Sequence, residues 1–224
     1  MIEAKNIYKT YANANKELTV LRGIDLKIDR AKFIALVGPS GAGKSTLLHI
    51  LGGLDTPTEG SVFLSGQDIY SLSDTELSRI RNKKIGFVFQ FYHLLSEFTV
   101  LENVLIPAFI GEPDAKEKKL FKEKALGLLG KAGLAERAGH FPSQLSGGEK
   151  QRAAIVRALI NEPEILFCDE PTGNLDSRTG DEILALIKDI SRKNAMTVVL
   201  VTHNTELAGS ADRVYHLKDG LLVN

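Results

Sequence analysis

Gly38-Pro39-Ser40-Gly41-Ala42-Gly43-Lys44-Ser45 is the stretch of this chain whose chemistry is plainest. It fits G-x-x-x-x-G-K-[ST], a pattern with a physical rationale. Glycines let the backbone curl so that successive N–H groups, here those of Ser40 to Lys44, point inward at phosphate oxygens. A helix starting near Lys44 would add the positive end of its dipole, taking in Ser45 and Thr46. Lys44 is expected to reach the β- and γ-phosphates, and the Ser45 hydroxyl to ligate Mg²⁺. Alone, the loop says only that a nucleoside triphosphate is bound. Kinases, GTPases and transport ATPases all stay open.

Two further stretches carry chemistry. Ile165-Leu166-Phe167-Cys168-Asp169-Glu170 is an apolar run ending in two carboxylates. Parallel α/β sheets bind ligands at their C-terminal strand ends. Asp169 could therefore hold Mg²⁺, and Glu170 could act as general base on the attacking water. In Leu145-Ser146-Gly147-Gly148-Glu149, Ser-Gly-Gly precedes a helical pattern through Leu159. That gives a second helix start with exposed N–H groups, a second anion site. One nucleotide has one triphosphate, already held by the first loop, so this site needs a second molecule or another anion. Read alone it is also an ordinary N-cap by Ser146.

These residues need a scaffold. Phe33 to Val37, Ile85 to Phe89, Ile165 to Cys168 and Thr197 to Val201 are continuous apolar runs, as in strands buried on both faces of a parallel sheet. Helical patterns lie between them, at Thr46 to Leu54 and at Ile183, Leu186, Ile187 and Ile190. Strand–helix–strand repetition implies an α/β sheet with right-handed crossovers. Ile24 to Ile28 alternates as a half-buried strand, with weaker strands at Ile2 to Tyr8 and Ser61 to Leu64. Tyr11 to Glu17, polar and aperiodic, is expected to be an exposed loop. Phe121, Ala125, Leu128, Leu129 and Ala132 fall at helical spacing in a stretch, about 97–143, that interrupts the rhythm as an inserted helical subdomain. Arg213 to Leu217 and Leu221 to Val223 read as a closing hairpin turning at Asp219-Gly220.

The chain has 224 residues, with 28 Lys plus Arg against 28 Asp plus Glu. That length suits one domain carrying an insertion. A net charge of zero gives no reason to expect nucleic acid as a partner. The single cysteine, Cys168, cannot form an intrachain disulfide and fits a reducing compartment. No apolar run approaches the roughly 18 residues that would span a bilayer. The start at Met1 lacks a signal-peptide profile. A cytosolic protein is expected, unless another chain holds it at a membrane.

Taken together, the phosphate loop, Gln90 after a strand, Leu145 to Glu149, Ile165 to Glu170, Asn174-Leu175-Asp176 and Thr202-His203 resemble the ATP-binding cassette (ABC) ATPase family, in its order and spacing. The resemblance covers nearly the whole chain. It implies an α/β P-loop NTPase core with a parallel sheet, an N-terminal antiparallel β-subdomain and an inserted helical subdomain, all within one domain, 1–224. It also implies roles. Gln90 would approach Mg²⁺ and the attacking water. Ser146, Gly147 and Gly148 would contact the γ-phosphate held by a second copy of the chain. Asp176 would lie across that dimer interface, and His203 would hydrogen-bond the γ-phosphate. Tyr11 matches the aromatic that stacks on adenine, although Tyr8 is close by. His49, His93, His140 and His216 are read as structural.

Phe89 to Leu95 and Phe98 to Val104 resemble the lipoprotein-releasing (Lol-type) subfamily. Glu170 to Asp176 is shared by that subfamily with the macrolide-exporter and cell-division types. The implied function is an ATP-hydrolysing motor subunit, bound peripherally on the cytoplasmic face of the inner membrane to integral subunits. Lipoprotein release leads; macrolide-type efflux and cell division are the alternatives. The apolar 91–104 stretch is expected to be a partner surface. Soluble ABC proteins of chromosomes or repair carry long coiled-coil insertions, absent from this sequence. Ribosome-acting ones usually hold two cassettes. A stand-alone phosphotransferase would leave Leu145 to Glu149 unexplained.

Overall fold

The strands are of two kinds, as their apolar patterns require: alternating ones near the N-terminus and wholly buried ones around the phosphate loop. The structure is a computed structural model and describes residues 1–13, 16–203, 208–209 and 211–223. In chain order its elements are β1 (Ile2–Asn13), β2 (Lys16–Ile28), β3 (Phe33–Val37), α1 (Lys44–Leu51), β4 (Glu59–Leu64), β5 (Gln67–Asp68), α2 (Asp74–Lys84), β6 (Ile85–Phe89), α3 (Val100–Phe109), α4 (Ala115–Lys131), α5 (Gly147–Leu159), β7 (Ile165–Asp169), α6 (Ser177–Lys193), β8 (Thr197–Thr202), β9 (Arg213–Lys218) and β10 (Leu221–Val223). They fall into two compact units.

The first unit comprises Met1–Arg81 and Ala195–Asn224. Its antiparallel sheet runs β2-β1-β4-β5. The inward residues Ile2, Ile7, Ile24 and Ile28 are fully buried, each worth on the order of 1.5–3 kcal/mol. Around the phosphate loop, β3 lies between β8 and β9 and is parallel to both. All five residues of β3 are buried, and so are all six of β8. β10 returns antiparallel on β9. Its turn takes the left-handed backbone at both Asp219 and Gly220, the pair found in tight hairpins. The expected Tyr11–Glu17 loop is mostly strand instead: β1 and β2 stay paired from Tyr11↔Leu18 to Asn13↔Lys16. Backbone pairing there requires no apolar face. Residues 14 and 15 of that stretch lie outside the described residues.

The second unit is Asn82–Asn194. β6 and β7 pair in parallel from Ile85↔Ile165 to Phe89↔Asp169. Phe87 stacks on Phe167 across the pair. α3, α4 and α5 close on a shared core that includes Val100, Val104, Leu129, Leu134, Ala153 and Val156. Residues of the 97–143 stretch thus share their core with the helix that follows it. Capping boxes start all three helices: Thr99 with Glu102, Asp114 with Glu117 and Ser146 with Glu149. The apolar 91–104 stretch is not one surface. Phe91, Leu95 and Phe98 are exposed, while Val100 and Val104 are fully buried. The Thr99 cap divides them, because beyond it helical geometry turns the apolar positions onto the core.

Candidate active site

In the first unit, β3 delivers its last buried residue, Val37, directly into the phosphate loop. Gly38 is required sterically: a Cβ there would lie 2.0 Å from the Leu217 carbonyl oxygen on β9. Gly41 and Gly43 take positive φ values of 77° and 99°, a backbone that glycine adopts without strain. The Ala42 N–H donates to the Pro39 carbonyl, closing the turn. Gly43 is the N-cap of α1, with no side-chain cap and no acidic residue in the first turn. No acidic residue of that first turn offsets the positive end of the helix dipole. Ser45 and Thr46 lie half-buried in that first turn.

Lys44 is buried, at 6% exposure. Its ammonium donates to the Gly38 and Pro39 carbonyls, both at 2.9 Å. A buried cation needs partners of this kind. These two carbonyls hold the side chain folded back over the loop, while Ser40 and Gly41 remain exposed. The register Val37↔Thr202 sets His203 in step with Gly38 at the same end of the parallel strands. His203 is exposed. Of the two candidate aromatics, the Tyr8 hydroxyl lies 2.9 Å from where a Gly23 side chain would begin, packed onto the sheet. Tyr11 is the exposed one, at 43%.

In the second unit, the register Phe89↔Asp169 brings Gln90 and Glu170 to the same end of β6 and β7, one residue beyond the pair. Gln90, Asp169 and Glu170 are all half-buried. Glu170 has φ 45°, sparsely populated for a residue with a side chain, so the chain turns sharply after Asp169. The Gly173 N–H donates to the Glu170 carbonyl and the Leu175 N–H to that of Thr172, curling the segment toward Asp176. Asp176 is the N-cap of α6, accepting from the Thr179 N–H at 3.0 Å and the Thr179 hydroxyl at 2.7 Å. Those hydrogen bonds, the hydroxyl first, hold the Asp176 carboxyl below the ordinary aspartate value.

Ser146 is the exposed N-cap of α5. Its N–H donates to Glu149 at 2.8 Å, and the Arg137 guanidinium donates to the other Glu149 oxygen at 3.0 Å. The Ser146 N–H is the largest cause holding Glu149 below the usual glutamate value; the Ser146 hydroxyl and Arg137 add to it, against a modest upward push from burial. Gly148 is buried, and a Cβ there would lie 2.6 Å from the Thr179 methyl. The starts of α5 and α6 thus pack together, joining the Ser146–Gly148 segment to the Asp176 cap. Sequence reading missed the residues that brace these groups. Arg157 on α5 donates to the Tyr92 and His93 carbonyls beyond Gln90, and burial lowers its pKa. Asn103 donates to three carbonyls, of Leu95, Phe98 and Thr99. Neither has a sequence signal, because their partners are backbone atoms.

Comparison with known proteins places the chain. The ABC transporter family matches it over residues 21–173. The chain belongs to this family and is an ABC-type ATPase, which binds and hydrolyses ATP. The lipoprotein-releasing system ATP-binding protein LolD of Bdellovibrio bacteriovorus is 50% identical over 219 residues, with 98% of each chain covered. The protein of that name in Shewanella frigidimarina is 46% identical over 222 residues, covering 99% of this chain and 92% of its own. Among solved structures, the dimeric structure of MJ0796, a bacterial ABC transporter cassette, matches with a TM-score of 0.91 at 43% identity, covering 100% of this chain and 97% of that one. A post-hydrolysis state of MJ0796 bound to ADP and Pi matches with a TM-score of 0.89 at 41% identity, over the same shares. The fold is thus that of the ABC branch of the P-loop NTPases.

Proposed function

We propose that this chain is the motor subunit of a membrane complex that releases lipoproteins. The observation carrying this reading is full-length similarity, at 46–50% identity, to proteins named for that system. Two copies would work as a pair, since a cassette that the chain resembles is dimeric. Among the described residues no helix is long and apolar enough to cross a membrane. Attachment to the cytoplasmic face of the inner membrane would therefore come from integral partner subunits. We read 1–224 as one ABC ATPase domain, with the 97–143 insert as its helical subdomain.

In this reading Ser40, Gly41, Ala42, Gly43, Lys44, Ser45 and Thr46 bind the phosphates, and Gly38 lets the loop pass under β9. Tyr11 carries the base. The donor types suit Mg²⁺: Ser45, Asp169 and the Gln90 amide would offer the hard oxygens that this cation takes, alongside phosphate and water. Mg²⁺, when bound, would neutralise charge on the β- and γ-phosphate oxygens. Glu170 would take the proton of the attacking water, which Gln90 helps to orient. His203 would hold a γ-phosphate oxygen by a hydrogen bond. Ser146, Gly147 and Gly148 of the second copy would aim backbone N–H groups at the same phosphate, and Asp176 would line the shared interface. Positioning and charge stabilisation of this kind account for most of the catalysis of phosphoryl transfer.

The test is purification from detergent-solubilised membranes, followed by reconstitution with the co-purifying integral subunits. ATP-dependent release of a lipoprotein from proteoliposomes, lost with Lys44→Ala, is the expected result. A complex that turns over ATP but exports a small molecule, or leaves lipoproteins in place, would overturn the assignment to lipoprotein release.

A further inference from the structure

Asp55 follows α1 and reaches toward β1. Its two oxygens are both taken: Oδ2 accepts the Tyr11 hydroxyl at 2.6 Å, and Oδ1 accepts the Lys9 ammonium at 2.6 Å. Lys9 also donates to the Thr56 carbonyl at 2.7 Å. Its charge lies 4.7 Å from the centre of the Tyr11 ring. That face of the ring is covered, so a base can stack only on the other face.

The Asp55 backbone is itself tied to the phosphate helix. Its N–H donates to the His49 carbonyl in the last turn of α1, and its carbonyl lies 2.5 Å from the Tyr70 hydroxyl. That hydroxyl also lies 2.6 Å from the Ile50 carbonyl, so one phenolic proton bridges α1 and Asp55. Among the described residues, Asp55 is the hydrogen-bond partner shown for the Tyr11 hydroxyl. The pairing of β4 with β1 reaches only Tyr8↔Glu59. Beyond that point β1 is held by β2, whose Leu18 opposite Tyr11 is exposed, and by the Thr10 N–H donating to the Thr58 hydroxyl at 2.9 Å.

We propose that Asp55 is a positioning residue for the nucleotide base: it fixes the Tyr11 ring, through the phenol, at a set distance and tilt from the phosphate loop. The proposal rests on the reading of Tyr11 as the base platform. The base and phosphate subsites then form one unit, both referenced to α1: the phosphate loop at its start, and Tyr11, through Asp55, at its end. Stacking is indifferent to the base's hydrogen-bonding edge, so affinity depends on where the ring stands when the phosphates are seated. A free tyrosine would have to be ordered on each binding event, and that ordering would subtract from affinity.

ADP and pyrophosphate separate the two subsites, since they share a diphosphate and differ by the nucleoside. Calorimetric titration of the purified chain with each is expected to show tighter ADP binding. Tyr11→Phe keeps the ring and removes only the link. It and Asp55→Ala should each weaken ADP by about two- to tenfold, the scale of one net hydrogen bond, with pyrophosphate unchanged. Asp55→Asn, whose carbonyl still accepts the phenol, should lose less. The double variant Tyr11→Phe/Asp55→Ala should be no weaker than Asp55→Ala alone. Unchanged ADP affinity in Tyr11→Phe and Asp55→Ala would overturn the proposal, and so would equal losses for ADP and pyrophosphate. Wild-type protein that binds both ligands equally would remove Tyr11 as the platform, and the proposal with it. Wild-type protein that binds neither would instead remove the nucleotide-site reading itself.

Discussion

The Gln90 side-chain amide donates to Asn174 Oδ1 at 3.1 Å, and the Asn174 amide donates back to the Gln90 carbonyl at 3.0 Å. This reciprocal pair ties the end of β6 to the loop that runs from Glu170 to the Asp176 cap. A Gln90 displaced by a ligand would have to carry that loop with it or break both bonds.

Asn174→Ala should therefore free Gln90 and slow turnover. Two exposed hydrogen bonds at about 0.5–1.5 kcal/mol each correspond to roughly a 5- to 150-fold loss if both are used in the transition state. Steady-state kinetics should show the loss in kcat, with KM for ATP little changed. A variant with wild-type kcat would mean that the pair is only structural.

Lys44→Ala removes a buried cation and leaves the Gly38 and Pro39 carbonyls without their partner. Phosphoryl transfer depends on charge stabilisation, so turnover should fall by several orders of magnitude. Nucleotide affinity should fall as well. A malachite-green assay on protein purified free of other ATPases checks this, and near wild-type activity would refute the assigned role.

The motifs were legible because each sits where a strong local pattern ends. Phe33 to Val37 is a continuous apolar run that can only be buried, so the loop after it was fixed in context. The Ser146 N-cap before the helical pattern likewise marked the start of α5. α2 gave no such signal: none of its residues is buried. It is anchored instead by an Arg81 hydrogen bond to the Gly53 carbonyl at 2.6 Å. The Tyr11–Asp55 bond joins residues 44 apart, with no periodicity to relate them. Position 91–104 misled because hydrophobicity does not say which way a side chain faces. Only the Thr99 cap, with its Glu102 partner, marks where the exposed part ends.

Asp55 should make the fold sensitive to acid. Partial burial pushes its carboxyl up, but hydrogen bonds from Lys9 and Tyr11, with the Lys9 charge, outweigh that and hold it below the ordinary aspartate value. The folded state then binds fewer protons than the unfolded chain. The stability that this confers is fully present above the unfolded value of about 3.9 and is lost as pH falls through the lower folded value. Asp55→Asn cannot ionise and lacks this component at every pH. Urea midpoints for the two proteins should differ at pH 7 and converge toward pH 3. A gap of the same size at both pH values would mean that the carboxylate's charge contributes nothing.

The final test concerns the shared site. Glu170→Gln should bind ATP and hydrolyse it very slowly, so that closed dimers accumulate. The obvious way to block closure, a charge at Gly148, is compromised by the structure, since any side chain there meets Thr179 at 2.6 Å. Ser146 offers a cleaner position. It is exposed, and its structural work is to cap α5, which aspartate does about as well as serine. Ser146→Asp therefore preserves the helix start while adding a carboxylate beside the proposed trans phosphate. Like charges about 4 Å apart repel by roughly 4 kcal/mol at an effective dielectric near 20, enough to lower dimerisation about a thousandfold. Glu170→Gln/Ser146→Asp should stay monomeric in ATP by light scattering, yet bind a fluorescent nucleotide as well as Glu170→Gln alone. Ser146→Ala in the same background, which weakens the cap without adding charge, should still dimerise. A Ser146→Asp double variant that dimerises with ATP would exclude a phosphate of the partner copy next to Ser146. One that stays folded but loses nucleotide would place Ser146 beside the phosphates of its own chain, and the two-copy mechanism would have to be abandoned.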